Sequence, residues 1–189
     1  MNSPASKIII GCWIIYLAYW VVSARGLKPV AERQSRRANF AYRCVLLVGG
    51  TLLWLPDRYH PLPLQLTPQT DALKFIGAAV CLMGLWVAIW ARWTLAGNWS
   101  SDVTFKQGHE LIQSGPYRFV RHPIYTGIEG LALGTATAGG EFLRWLGFLI
   151  LFAGFWIKLS QEETLMLRHF PDEYPGYKRR VRALIPFVL

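Results

Sequence analysis

Between His109 and Gly127 the chain reads HELIQSGPYRFVRHPIYTG, a run in which titratable and aromatic side chains crowd against a hydrophobic segment. Ser114-Gly115-Pro116 marks a turn. Tyr117, Phe119 and Tyr125 supply rings, while Arg118, Arg121 and His122 supply cationic or proton-carrying groups. Pro123 suits the first turn of a helix, where a missing N–H costs nothing. The other N–H groups of such a turn lack helical partners and carry partial positive charge, which suits a carboxylate or phosphate. On this reading His122 either caps the helix or faces a site. Tyr125 and Glu129 follow it at i+3 and i+7, on the same helical face. Glu129 is a carboxylate inside an apolar segment, hence either a functional group or one end of an interhelical hydrogen bond. A second cluster holds Lys158, Glu162 and Glu163. Lys158 and Glu162 share a face, whereas the two glutamates point about 100° apart, so only one can face a given site. Standing alone, this cluster is a solvated helix end with an ion pair worth under about 0.5 kcal/mol. A third holds Tyr174, Tyr177, Arg179, Arg180 and Arg182, which alone would read as a basic segment on an anionic leaflet.

Groups of this kind need a rigid frame, and the composition says which kind. The 189 residues suffice for one domain, 53% of them are hydrophobic, and nine are Trp and ten Phe. Only 16% are charged, against about 25% in ordinary soluble domains. Five membrane spans are expected, over 8–24, 40–55, 75–91, 124–138 and 142–157, giving an all-α polytopic membrane protein. Arg43 would snorkel from the second span. Trp86, Trp90 and Trp93 read as an interfacial belt. A proline-rich loop over 56–74, with Pro56, Pro61, Pro63 and Pro68, separates spans two and three. Gly139-Gly140 makes a tight turn between spans four and five, and the segment from Lys158 begins as a helical extension of the fifth.

The net charge of +9 could suggest nucleic acid, but the cations cluster between apolar runs, which points to a bilayer instead. The basic loops follow spans one, three and five, which expects the N-terminus outside and the C-terminus in the cytoplasm. Cys12, Cys44 and Cys81 lie inside apolar runs without metal or CxxC spacing, as small buried hydrophobes do. No metal is expected.

GPYRFVRHPIYTG, followed after a hairpin by KLSQEE and FPDEYPGYKRRVRALIPF, resembles the isoprenylcysteine carboxyl methyltransferase family, which groups with the phospholipid methyltransferases. The likeness covers the motif-bearing half, 98–189, in motif order, spacing and the twin glutamates. It implies S-adenosylmethionine as cofactor, bound without a Rossmann fold at the cytoplasmic ends of the last spans. By matching position, His109, Glu110, Leu111, Ile112 and Tyr117 would line that cofactor. His122, Pro123, Ile124 and Tyr125 would hold its amino-acid or ribose parts. Glu162 would hydrogen-bond it, and Asp102 aligns loosely with a further contact. Lys158 stands where eukaryotic members have an arginine that orients the substrate carboxylate. It is therefore assigned to substrate, and with Glu162 to catalysis. A lysine offers a point charge in place of a two-pronged clamp. The short chain resembles bacterial and archaeal members, so a bacterial cell membrane is the expected location.

Methyl transfer from a sulfonium is an in-line displacement, in which the protein chiefly positions the acceptor and removes water from it. A carboxylate acceptor needs no base. A thiol needs a cationic neighbour such as Lys158 or Arg121. An amine needs a base among Glu162, Glu163 and His122. A lipophilic or small-molecule acceptor stays open at this point, with the lipid bilayer as its source. Small residues in span four (Gly127, Gly130, Ala132, Gly134) would permit close helix packing. Two other readings are a sterol-type reductase using NADPH, which usually needs more spans, and a non-catalytic membrane protein, against which His122, Tyr125 and Glu162 together argue.

Overall fold

A computed structural model describes residues 3–25, 27–33, 35–55, 59, 64–186 and 188. Its long helices are α1 (Pro4–Ser23), α2 (Arg36–Trp54), α3 (Asp71–Leu95), α4 (Pro123–Gly139) and α5 (Phe142–His169), and a short α6 (Tyr174–Arg180) follows. Each boundary has a local cause. Ser3 caps α1, its side chain accepting from the Ser6 N–H, with Pro4 in the first turn. Thr70 caps α3 in the same way through the Leu73 N–H, so this helix starts four residues before the expected Phe75. The polar first turn, Asp71 to Lys74, reads as loop from hydropathy alone. Gly140 ends α4 at φ +77°, a left-handed conformation that favours glycine, and its N–H returns to the Ala136 carbonyl. Pro56, Asp57, Arg58, Pro61 and Pro63 of the expected proline-rich loop lie outside the described residues.

The all-α expectation needs one correction. Val30–Arg33 (β1) pairs antiparallel with Thr104–Lys106 (β2), Arg33 opposite Thr104 and Val30 opposite Lys106. Strands of three and four residues are too short to show alternation, and their partners are some seventy residues apart, so only the folded chain reveals them. Apart from two isolated bridges, Gln65 with Glu141 and Val120 with Arg182, the other regular elements among the described residues are helical.

Glycine sets the helix pairs. A Cβ on Gly84 of α3 would lie 2.6 Å from the Gly127 carbonyl oxygen of α4, and one on Gly127 would lie 2.6 Å from that of Gly84. The same reciprocity joins α2 to α5: a Cβ on Gly49 would meet the Gly147 carbonyl at 2.9 Å, and one on Gly147 the Gly49 carbonyl at 2.8 Å. Backbones this close gain dispersion contacts that a bilayer does not otherwise reward. Between the pairs lie the buried Leu53, Ala132, Ala136 and Leu151.

Among the described residues three helices, Pro4–Ser23, the one opening at Asp71 and Phe142–His169, are long and apolar enough to cross a membrane. At 17 residues α4 falls short of the roughly 20 a bilayer core needs, and Arg36, Arg37 and Arg43 lower the hydropathy of α2. Ile14, Leu17, Val21, Leu47, Met83, Trp86 and Leu149 point outward from this bundle, the surface that a lipid environment accepts. Cys12 and Cys81 are buried and Cys44 half-buried, all three as free thiols.

Candidate active site

The start of α4 is held by the C-terminal tail. The Arg121 and His122 N–H groups donate to the Arg182 and Ala183 carbonyls at 2.8 and 2.9 Å. Thr126 Oγ1 donates to the Leu184 carbonyl at 2.7 Å, and Tyr177 Oη to the Tyr117 carbonyl at 2.6 Å. Ala183 and Leu184 are buried. The tail is therefore part of the wall around the motif.

The twin glutamates divide as their 100° separation requires. Glu163, with a side chain 7% exposed, gathers two cations and an imidazole. Arg121 reaches its Oε1 through Nε at 2.8 Å and Nη2 at 2.5 Å, Lys178 Nζ reaches Oε2 at 2.6 Å, and His122 Nε2 lies 3.3 Å from Oε1. A buried carboxylate surrounded by three partners is a structural hub. Glu162 turns the other way. It accepts from Tyr125 Oη at 2.5 Å, and His122 Nδ1 stands 3.6 Å from its second oxygen. His122 makes no side-chain cap bond; its ring bridges the two glutamates and stacks parallel to Tyr125, centroids 5.6 Å apart.

These groups border a cleft of about 130 Å³. Of the residues singled out in the sequence, His109, Glu110, Leu111, Ile112, Tyr117, His122, Ile124, Tyr125, Glu162 and Asp102 line it. Pro123 is buried in the first turn of α4 behind the lining. Lys158 also stands behind it: the buried Nζ lies 5.3 Å from the Tyr125 ring and 5.4 Å from the Tyr42 ring, and donates to the Ser101 carbonyl at 2.7 Å. Asp102 is paired with Arg43, which thereby anchors the polar loop to α2 where snorkelling was expected. Glu129 is buried a turn deeper in α4, away from the cleft, both oxygens without a hydrogen-bond partner among the described residues.

Arg121, Tyr174 and Tyr177 also line the cleft. Sequence reasoning did not find the other wall. Leu95, Asn98, Trp99, Ser100, Thr104, Leu165 and Met166 complete the lining. They come from the end of α3, the loop into β2 and the late turns of α5, and carry no motif. Three lining residues hold buried polar atoms that have no hydrogen-bond partner among the described residues: Asn98 Oδ1, Thr104 Oγ1 and His109 Nδ1. Such atoms cost about 1–3 kcal/mol each unless something bonds them, so the wall fits a polar ligand. Burial, reinforced by the nearby Lys28, His169 and Lys106, lowers the His109 pKa to about 4, leaving a neutral imidazole at neutral pH. Burial raises the phenols of Tyr117, Tyr174 and Tyr177, which stay protonated as donors.

Comparison with known proteins gives a consistent result. Residues 73–173 match the family described as Phospholipid methyltransferase. The chain is 34% identical over 123 residues to protein-S-isoprenylcysteine O-methyltransferase of Schizosaccharomyces pombe, covering 64% of this chain and 50% of that one. It is 29% identical over 122 residues to the Saccharomyces cerevisiae protein of the same name, covering 63% and 51%. The human protein of that name is 28% identical over 123 residues, covering 64% and 43%. The chain thus spans about half the length of the curated relatives it matches. A solved structure of the eukaryotic intramembrane Ras methyltransferase, isoprenylcysteine carboxyl methyltransferase, shares the fold at TM-score 0.56 and 23% identity, covering 78% of this chain and 53% of that one.

Proposed function

The chain belongs to the phospholipid methyltransferase family, and from that premise we propose that it is a membrane-embedded methyltransferase that uses S-adenosylmethionine and acts on a lipophilic acceptor. The observation that carries this reading is the cleft between the start of α4 and the late turns of α5, where Tyr125 meets Glu162 at 2.5 Å. When bound, the cofactor supplies an electrophilic methyl on a sulfonium. Its donor set matches the lining. Glu162 would hold its ammonium, the N-terminal turn of α4 its carboxylate, and Asn98, Thr104 and His109 its hydroxyl and base edges. Tyr117, Trp99 and Ile112 would cover its apolar faces.

The chain's own groups then have limited work. Tyr125 donates to Glu162 and fixes the carboxylate that would face the cofactor. The Arg121–Glu163–Lys178 hub fixes His122 and the tail. Apolar rings exclude water, which preserves the reactivity of an acceptor brought in line. Lys158, across the Tyr125 ring, would serve the acceptor side, where a single ammonium suits a carboxylate or a thiolate. The acceptor arrives laterally from the bilayer and the cofactor from the water phase. In this reading all five long helices span, α4 and α2 with help from their neighbours. The basic tail faces the cytoplasm of a bacterial cell.

Calorimetry on detergent-purified protein tests the proposal: S-adenosylhomocysteine binds with micromolar affinity, and NADPH does not. Heat from NADPH alone would reject it in favour of a reductase. Transfer of methyl label from tritiated S-adenosylmethionine into panels of lipids, thiols and prenylcysteines identifies the acceptor.

A further inference from the structure

The cleft is smaller than the group it would hold. Its volume of about 130 Å³ lies below the roughly 300–1,000 Å³ of small-molecule sites, so a wall must move to admit a nucleoside-sized cofactor. The walls differ in what holds them. The side made by α4 and α5 is joined through the buried Arg121–Glu163 pair, and α4 meets α3 backbone to backbone at Gly127. The loop into β2 is pinned as well. Lys158 donates to the Ser101 carbonyl, Arg43 pairs with Asp102, and the fully buried Val103 packs with Tyr42 and Leu165.

The remaining wall is the stretch 110–113, which gives Glu110, Leu111 and Ile112 to the lining. No main-chain N–H from Glu110 to Ser114 finds a main-chain carbonyl among the described residues. A segment without such bonds opens easily. It is bracketed by Gly108 and Gly115, each at φ +58°, a conformation open to glycine and strained for other residues. A few such positions suffice to absorb the backbone rotation of a moving segment. The root at His109 is firm: its N–H donates to the Lys106 carbonyl at 3.2 Å, and its ring stacks on Phe105 with centroids 5.0 Å apart. On the inner side, Ile112 packs with the cluster that holds Tyr117, Ile124 and Tyr125.

Two side chains fasten this stretch from outside. Lys28, in the segment after α1, donates to the Gly108 carbonyl at 2.7 Å and lies 4.0 Å from Glu110. Arg180 of α6 donates to Gln113 Oε1 at 3.2 Å. Neither Lys28 nor Arg180 lines the cleft. Both contacts are exposed to solvent, and exposed contacts of this kind are weak, whereas parting the buried Arg121–Glu163 pair is costly. The stretch 110–113 therefore yields before the other walls do.

We propose that residues 110–113 form a lid over the cleft, hinged at Gly108 and Gly115 and latched by Lys28 and Arg180, and that the cofactor enters and leaves by its opening. The lid rests on the cofactor reading above and adds to it a route and a latch. The latch holds the lid shut with or without a guest. It therefore sets how fast the cofactor exchanges and leaves the affinity nearly unchanged.

Binding kinetics of S-adenosylhomocysteine on the full chain in detergent, followed by surface plasmon resonance, test this. Lys28→Met raises the association and dissociation rates together, by about two- to fivefold, the release of weak exposed contacts, while Kd stays nearly constant. In a chain freed of Cys12, Cys44 and Cys81, Lys28→Cys and Glu110→Cys are joined by a short bifunctional thiosulfonate. The joined protein takes up and releases ligand roughly tenfold more slowly or worse, as a closed lid requires, and dithiothreitol restores both rates. Unchanged rates in the joined protein overturn the lid. A Lys28→Met protein that only dissociates faster, with weaker Kd, overturns the latch, because Lys28 would then support the bound state alone. A parent chain that does not bind S-adenosylhomocysteine overturns the cofactor reading itself, an outcome distinct from either.

Discussion

At the scale of single residues, adjacent glutamates do opposite work because a helix turns 100° between them. Glu163 neutralises the buried Arg121 and reaches out to the exposed Lys178. Glu163→Ala leaves Arg121, itself 7% exposed, without its carboxylate, which costs on the order of 3 kcal/mol. The melting midpoint in detergent falls by roughly 6–12 °C, and S-adenosylhomocysteine binding persists at low temperature. Glu162→Gln keeps shape and stability but loses a charge-assisted contact, so that affinity weakens roughly 10- to 100-fold by calorimetry. Exchanged phenotypes would reverse the two assignments. His109 gives a pH signature. Its folded pKa of about 4 lies below the ordinary 6.5, so the unfolded chain takes up a proton first as pH falls. The contribution of a neutral His109 to stability is complete above pH 6.5 and is lost between there and pH 4. His109→Gln therefore loses less melting temperature than the parent between pH 7 and pH 4.5. Parallel curves would mean that the imidazole titrates normally.

At the scale of elements, the site depends on where α4 starts, and the α3–α4 contact decides that. Gly84 and Gly127 lie where neither can bear a Cβ without moving backbone. Gly127→Leu pushes the helices apart next to Tyr125. It lowers both the yield of monodisperse protein and S-adenosylhomocysteine affinity, whereas Gly11→Leu, with open space around it, changes neither. The β1–β2 ribbon is the other positioning element. Glu32 in β1 pairs with His169 at 2.7 Å and Arg168 at 3.0 Å, and Phe105 in β2 stacks on His169 with centroids 3.6 Å apart. In this way the end of α5 holds the loop that carries Asp102, Thr104 and His109.

At the scale of the whole molecule, the helices keep polar chemistry at their two ends and apolar surface between. The proposed orientation is open to direct test. In a chain freed of Cys12, Cys44 and Cys81, a cysteine at Arg179 resists a membrane-impermeant maleimide in intact cells and reacts after lysis, while one at Asp71 reacts in both. The reverse pattern would invert the protein in the bilayer.

What the sequence determined by itself was local or periodic. Apolar runs marked the helices, Pro123 the first turn of α4, Gly140 the turn after it, and the 100° step between Glu162 and Glu163 their separate directions. What only the tertiary structure decided was whatever depends on distant segments meeting. The short strands paired across seventy residues, the tail closed over Arg121 and His122, and Arg43 found Asp102 in place of the membrane interface. Lys158 fell behind Tyr125, and Asn98, Trp99 and Met166 joined the cleft with no motif to announce them. The physical reason is that periodicity records which face of an element is buried, whereas the partner across that face is chosen by packing, which no single stretch of chain contains.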